Sequence, residues 1–273
     1  MVANNIIIGI AGKKQSGKSS LCKFIEAWFH VTKKSLNYNI LQEVNGDISL
    51  FPENEQPLPE HKVNFVPELG NIKIYSFADS LKKMCIDILG LPEIACYGTD
   101  TDKNAPTKYL WNTLPLGIRT KYSNKTEILE TGIVETSDGP AKAIETFIVP
   151  RTGQMTGREI MQVMGTDIFR DMFSPEVWVE ATFRLIKSEN YPLALVADCR
   201  FPSEVDSIIN NGGYIIRLDR VFDNTDTHPS ETALDNYPFE KLGSKCLIIR
   251  NNRIEINEKN QLAADWLGKI LIK

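Results

Sequence analysis

Gly12-Lys-Lys-Gln-Ser-Gly17-Lys18-Ser19 follows the apolar run Ile6-Ile-Ile-Gly-Ile10-Ala11 and precedes Leu21, Phe24, Ile25, Trp28 and Phe29 at helical spacing. Strand, glycine-bent loop and helix in that order give the P-loop spacing of Gly, four residues, Gly, Lys, then Ser or Thr. The glycines let the backbone turn tightly, so that successive N–H groups and the helix N-terminus point at negative charge. A polyphosphate suits such a cradle. Residues 12–20 (Gly12, Lys13, Lys14, Gln15, Ser16, Gly17, Lys18, Ser19 and Ser20) are therefore read as the nucleotide-binding segment. Lys18 is assigned to the β- and γ-phosphates and Ser19 to Mg²⁺.

Further units extend outward from this one. Ile72–Phe77 alternates as a strand, and Leu81, Met84, Cys85, Ile88 and Leu89 form a helical face after it. Leu193–Ala197, Tyr214–Leu218 and Cys246–Ile249 read as three more buried strands, and Leu262, Ala263, Trp266, Leu267, Ile270 and Leu271 as a closing amphipathic helix. Alternating strands and helices predict an α/β fold with a five-stranded parallel sheet flanked by helices. The reading is one domain over 1–273, with a small β-containing insertion at 97–150 and a lid loop at 219–238. Within that insertion, Asp138-Gly139 sits between two β-like runs as a hairpin turn would. Residues 31–71, rich in Asn, Pro and Glu, read as a surface excursion.

Ligands in parallel sheets gather beyond the strands' C-terminal ends, which brings Lys82 to the site. Asp198, directly after the third strand, is placed as a Walker B carboxylate is and becomes, with Ser19, the second candidate for Mg²⁺. Thr156-Gly-Arg-Glu159 has capping-box spacing, with Gly165 taken as the end of the short helix it opens. Arg158 then lies in a first helical turn, unfavourable for a cation unless an anion shares the space. Lys82, Arg158 and Arg200 are cations suited to an anionic acceptor, and Lys18 with a loop arginine to the donor.

The totals narrow the class. A net charge of −4 with scattered basic residues gives no footprint for duplex nucleic acid. Five cysteines without metal-ligand spacing fit reduced thiols, and no stretch approaches the about 20 apolar residues of a membrane span. A protein in the cytoplasm, away from membranes, is expected. No Asn-Lys-x-Asp stretch supports a GTPase, so a small-molecule kinase is the better fit.

Taken together, these pieces resemble the deoxynucleoside monophosphate kinases of tailed bacteriophages, which are P-loop kinases of adenylate-kinase-like fold. The resemblance rests on Gly12-x-Lys-x-Ser-Gly-Lys18, Phe77-Ala-Asp-Ser-Leu-Lys82, Arg158-Glu-Ile-Met-Gln-x-x-Gly-Thr-Asp167 and Trp178-Val. It rests also on Asp198-x-Arg200-x-x-x-Glu204 and Asp226-Thr-His-x-x-Glu231. It implies transfer of the ATP γ-phosphate to a deoxynucleoside 5′-monophosphate in DNA precursor supply, in the host cytoplasm if viral, with ATP and Mg²⁺ as cofactors. It places Lys82, Arg158, Gly165, Thr166, Asp167, Trp178, Asp198, Arg200 and Glu204 around the acceptor, and Arg220 with His228 in the lid region. Lys18, Arg158 and Arg220 form the catalytic set, and pairing into a homodimer stays open. Family members often carry Gly-Lys-Asp-Thr where this chain has Gly-Lys18-Ser19-Ser20. A phosphomevalonate-kinase-like enzyme and a non-catalytic nucleotide-binding module are the alternatives.

Overall fold

Four of the five strands of the central sheet are apolar runs, because both faces of a parallel sheet are covered, and the fifth, Ile72–Tyr75, alternates at the sheet edge. The computed structural model describes residues 5–34, 36–43, 45–53, 62–65, 71–136, 139–220, 232–250, 252 and 254–271. By its internal contacts the chain divides into two units, residues 1–79 with 178–273, and residues 80–177.

The first unit opens with β1 (Ile6–Ala11) and α1 (Lys18–Lys33), then β2 (Tyr38–Gln42), β3 (Ile48–Pro52), β4 (Val63–Asn64) and β5 (Ile72–Tyr75). The second unit carries α2 (Asp79–Asp87), whose first residue belongs to the first unit, then α3 (Glu93–Tyr97), α4 (Asp100–Lys103), β6 (Pro106–Leu110), α5 (Leu116–Lys121), β7 (Thr126–Thr136), β8 (Gly139–Ile148), β9 (Gln154–Thr156) and α6 (Gly157–Gln162). A π-helix (Val163–Arg170) extends α6. The first unit resumes with α7 (Val177–Glu189), whose first residue belongs to the second unit, followed by β10 (Leu193–Cys199), α8 (Pro202–Asn210), β11 (Tyr214–Asp219), β12 (Cys246–Arg250) and α9 (Ile256–Leu271).

The central sheet runs β12-β11-β1-β10-β5, and each adjacent pair is parallel. All five strands expected from the sequence are present. The adjacent strands β1 and β11 send their connections in opposite directions, toward β5 and β12 respectively, which makes the gap beyond their C-terminal ends the natural ligand position. Two apolar clusters cover the sheet. Ile8, Ile10, Leu21, Ile25, Leu195, Ile216 and Leu267 belong to one, and Tyr75, Phe77, Val179, Val196, Val205, Ile208 and Ile215 to the other.

Two sequence expectations differ from the fold. Residues 38–52 are not simple surface, because β2 and β3 pair antiparallel and Ile48 and Leu50 join the cluster that packs α1. Gly165 does not end its helix. Its φ is not in the left-handed region, and a Cβ there would lie 2.6 Å from Leu81 Cδ2. The glycine serves close approach, and the helix runs on through π-geometry. The hairpin expected around residue 139 is present as β7–β8, although Asp138 itself lies outside the described residues. Of the expected lid at 219–238, residues 221–231 lie outside them too, His228 and Glu231 included.

Candidate functional site

In the first unit the site begins where β1 ends. Gly12 is forced by space: a Cβ would sit 2.5 Å from Ser16 Oγ and 3.0 Å from the Leu218 carbonyl oxygen on β11. Gln15 takes a φ of 61° and Gly17 of 90°, so the chain turns through left-handed conformations before entering α1. α1 has no side-chain cap and no acidic residue in its first turn. Its N-terminal N–H groups and positive dipole end therefore favour an anion. Lys18 is buried and its ammonium donates to the carbonyls of Gly12 and Lys13, both at 2.6 Å. The loop thus folds around its own lysine.

Two contacts hold the loop from outside. Lys13 pairs with Asp235 at 2.9 Å, and Arg220 Nη1 donates to the Gln15 carbonyl at 3.2 Å. Arg220, read as lid chemistry, lies directly on the phosphate loop. Lys14, Ser16, Ser19 and Ser20 belong to the same segment, with Ser16 buried beneath it.

At the end of β10, Asp198 accepts from Ser76 Oγ at 2.6 Å and from the Phe77 N–H at 3.0 Å. The carboxylate ties the ends of β10 and β5 together. Ala11 stands in register with Cys199, so Asp198 and the phosphate loop leave the sheet at the same edge. Arg200 follows on the same edge, while Glu204 is buried and accepts from the N–H groups of Arg200 at 2.7 Å and Phe201 at 3.1 Å. Glu204 therefore orders the turn that carries Arg200. Trp178 is buried on α7, and its carbonyl accepts from Thr182 Oγ1 at 2.9 Å.

Cys22 and Cys199 lie behind this edge. Burial, then the Asp198 and Glu26 carboxylates, push the Cys22 thiol up to about 12 against a smaller opposite effect of Lys18. Cys199, fully buried, is pushed up as well, by burial and then Glu204 and Asp198. With a pKa near 12, only about one Cys22 in ten thousand is thiolate at pH 8. Native protein treated with iodoacetamide at pH 8 should leave Cys22 and Cys199 unmodified by peptide mass mapping, and denaturant should make both reactive.

Of the acceptor-side residues read from the sequence, the second unit holds Lys82, Arg158, Gly165, Thr166 and Asp167. Thr156 caps α6, accepting from the Glu159 N–H while the Glu159 carboxylate accepts from the Thr156 N–H, the reciprocal box expected from the spacing. Arg158 in that first turn is indeed accompanied by an anion. Its Nη2 donates to Asp100 Oδ1 at 2.6 Å and its Nε to Asn104 Oδ1 at 3.0 Å. Lys82 lies over the Tyr97 ring, 4.5 Å from the centroid. Both cations are thus held by the short segment 97–104. The partners Tyr97, Asp100 and Asn104 escaped the sequence reading, since nothing local marks a contact to residues 15, 58 or 54 positions away.

Gly165, Thr166 and Asp167 lie in the π-helix, a geometry that recurs at functional sites. Asp167 is almost fully buried and accepts from the Lys121 ammonium and, at 2.8 Å, from the Tyr122 hydroxyl. Nearby, Trp111 is fully buried, donates from Nε1 to Glu159 Oε2 at 3.3 Å, and has the Arg151 guanidinium over its ring at 5.0 Å and the tilted Tyr122 ring at 5.2 Å. Arg151 also forms an ion pair with Glu159. Trp111 thus links Glu159, Arg151 and Tyr122 within this unit.

Among the described residues no cluster of three or more His, Cys, Asp or Glu is placed to hold a metal by itself, and no helix is long and apolar enough to cross a membrane. The Ser19 hydroxyl and the Asp198 carboxylate are hard oxygen donors, the kind Mg²⁺ takes together with phosphate oxygens and water.

The family model for deoxynucleotide monophosphate kinase matches residues 100–259, well over half of the chain. That span includes Arg158, the 165–167 segment, Trp178, Asp198, Arg200, Glu204 and Arg220. A protein of Acanthamoeba polyphaga mimivirus, provisionally named a deoxynucleotide monophosphate kinase, is 24% identical over 203 residues, covering 69% of this chain and 79% of that protein. This relative comes from a giant virus rather than from a tailed phage.

Proposed function

The chain belongs to the deoxynucleotide monophosphate kinase family, and from that premise we propose that it transfers the γ-phosphate of ATP to a deoxynucleoside 5′-monophosphate, giving ADP and the diphosphate. The observation that carries this reading is the phosphate loop itself, with Lys18 buried beneath its carbonyls at the uncapped start of α1. The family match spans residues 100–259, which include Arg158, Asp198, Arg200 and Arg220. The loop lies outside the matched span and supplies the donor half from its own geometry.

Phosphoryl transfer depends on positioning and on neutralising charge over the transferred group. On this reading the N–H groups of residues 13–19 hold the β- and γ-phosphates, and Lys18 exchanges its two carbonyl partners for phosphate oxygens. Arg220, already on the Gln15 carbonyl, is assigned to the developing negative charge. Ser19 and Asp198 would hold Mg²⁺, which when bound supplies charge neutralisation at the β- and γ-oxygens. Asp198 keeps its bonds to Ser76 and Phe77, so its free lone pairs are aimed by protein contacts before any ligand arrives. Arg158, Lys82 and Arg200 are assigned to the acceptor phosphate, with Gly165, Thr166, Asp167, Trp178 and Glu204 shaping or supporting that side.

Incubation with Mg-ATP and each dNMP in turn, with NMPs and phosphorylated metabolites as parallel acceptors, tests the reading by product chromatography. ADP together with at least one dNDP is expected. Turnover confined to a non-nucleotide acceptor, or to none, overturns it.

Asp100 occupies the place on Arg158 that an acceptor phosphate would take. The pair is exposed, so its worth is about 0 to 1 kcal/mol. Asp100→Asn is accordingly expected to lower the acceptor KM by up to about fivefold with kcat unchanged. A rise in KM would show instead that Asp100 aims the guanidinium.

A further inference from the structure

The buried stripe of α9 begins with two polar residues. Lys259 and Asn260 are 3% and 2% exposed, at helical spacing with Ala263, Ala264 and Leu267, which share one apolar cluster with Leu21 and Ile25 of α1. Asn260 has a partner. Its Nδ2 donates to Gln42 Oε1 at 2.9 Å, and the buried Gln42 donates in turn to the carbonyls of Ser20 at 2.8 Å and Gly46 at 3.3 Å. The head of α9 is thereby tied to the first turn of α1. Lys259 has no such account. Among the described residues no acceptor bonds its ammonium, Glu255 and Glu258 are exposed, and burial alone pushes it down from the ordinary lysine range. A cation withdrawn from water without a counter-ion is costly.

Its place on the helix raises that cost. Lys259 lies in the first turn of a 16-residue helix, whose free N–H groups and positive dipole end repel a cation unless an anion shares the space. Helical side chains lean toward the N-terminus, so the stem carries the ammonium to that same end. α9 follows β12 as α1 follows β1, and β12, β11 and β1 are parallel neighbours, so both helices start on the sheet edge where the phosphate loop lies. We infer that Lys259 and the first turn of α9 form a second oxyanion site on this edge, separate from the loop, which takes one phosphate-class group. The set offers donors alone, three on the ammonium and the N–H groups of residues 256–258. A tetrahedral oxyanion accepts on every side and neutralises both the lysine and the helix end. Because packing already holds the lysine stem, binding orders little that was free. The site does not depend on the proposed phosphoryl transfer.

Thermal melting of the full chain in sodium phosphate against sodium chloride at matched ionic strength reads the site. The wild type should melt about 2 to 5 °C higher in phosphate. Phosphate also reaches the glycine-bent loop, so the site is measured by the part of that rise which Lys259→Met and Lys259→Gln each remove. In chloride, Lys259→Met should melt no lower than the wild type, because methionine keeps the apolar stem and deletes an unpaired buried charge. Repeating the melts with saturating ADP separates two sources of the oxyanion. A rise that persists assigns free phosphate, one that ADP replaces assigns a phosphate of the nucleotide itself, and either supports the site. No phosphate rise in the wild type, or a rise of equal size in both variants, overturns the inference. So does a Lys259→Met chain that melts lower in chloride, which would show the ammonium satisfied within the fold. These melts need no turnover, so their failure leaves the kinase reading standing, and an inactive chain leaves this site standing.

Discussion

Lys18→Ala is expected to reduce kcat by at least about a thousandfold, a loss of about 4 kcal/mol or more in transition-state stabilisation, while the fold survives. The lysine is assigned to charge that grows as the γ-phosphoryl leaves, so its effect falls on kcat more than on the ATP KM. Survival of the fold follows from what the ammonium touches. It bonds two loop carbonyls, each able to take water in its place once the side chain is gone. Rapid-quench measurement of the chemical step with thermal melting of the same sample separates the two claims. Near-normal turnover would remove Lys18 from the chemistry. A collapsed melting transition would make it a structural residue of the loop.

Arg158→Ala should have the second largest effect, raising the acceptor KM and lowering kcat/KM for the acceptor by about 10- to 150-fold, equivalent to about 1.5 to 3 kcal/mol for a charged hydrogen bond. The ATP KM should hold. Before an acceptor arrives the guanidinium is engaged as a fork, Nη2 by Asp100 and Nε by Asn104. Lysine cannot reproduce that fork, so Arg158→Lys is expected to recover only part of the loss. Steady-state kinetics with the acceptor varied at saturating ATP decides it. Unchanged acceptor constants would leave Arg158 as a surface residue paired with Asp100.

The five sheet strands and the phosphate loop were legible because their signals are local. Apolar runs of four to six residues, and glycines at fixed spacing, carry their meaning within one turn of chain. The capping box at Thr156 and Glu159 was legible for the same reason. What escaped depends on distance in the sequence. Asp100 reaches Arg158 across 58 residues, and Asp235 reaches Lys13 across 222. Gly165 was misread because a glycine near a helix end fits two demands, a left-handed terminus or close approach, and only the position of Leu81 tells them apart. β2 and β3 were hidden by surrounding Asn, Pro and Glu, although Ile48 and Leu50 enter the core from one of them.

The widened turns at 163–170 carry a last consequence. There the Asp171 N–H reaches back to the Thr166 carbonyl, five residues earlier, rather than four. Such a stretch holds more residues per turn than its neighbours, so losing one of them would let the coil tighten to ordinary α winding, leaving the downstream facing nearly unchanged but removing the wide turn that carries Asp167. Asp167 would then swing off Lys121 and Tyr122. Codon deletions within these eight positions should be purged from natural variants even where single replacements pass, which makes the length of this stretch, more than its spelling, the heritable trait.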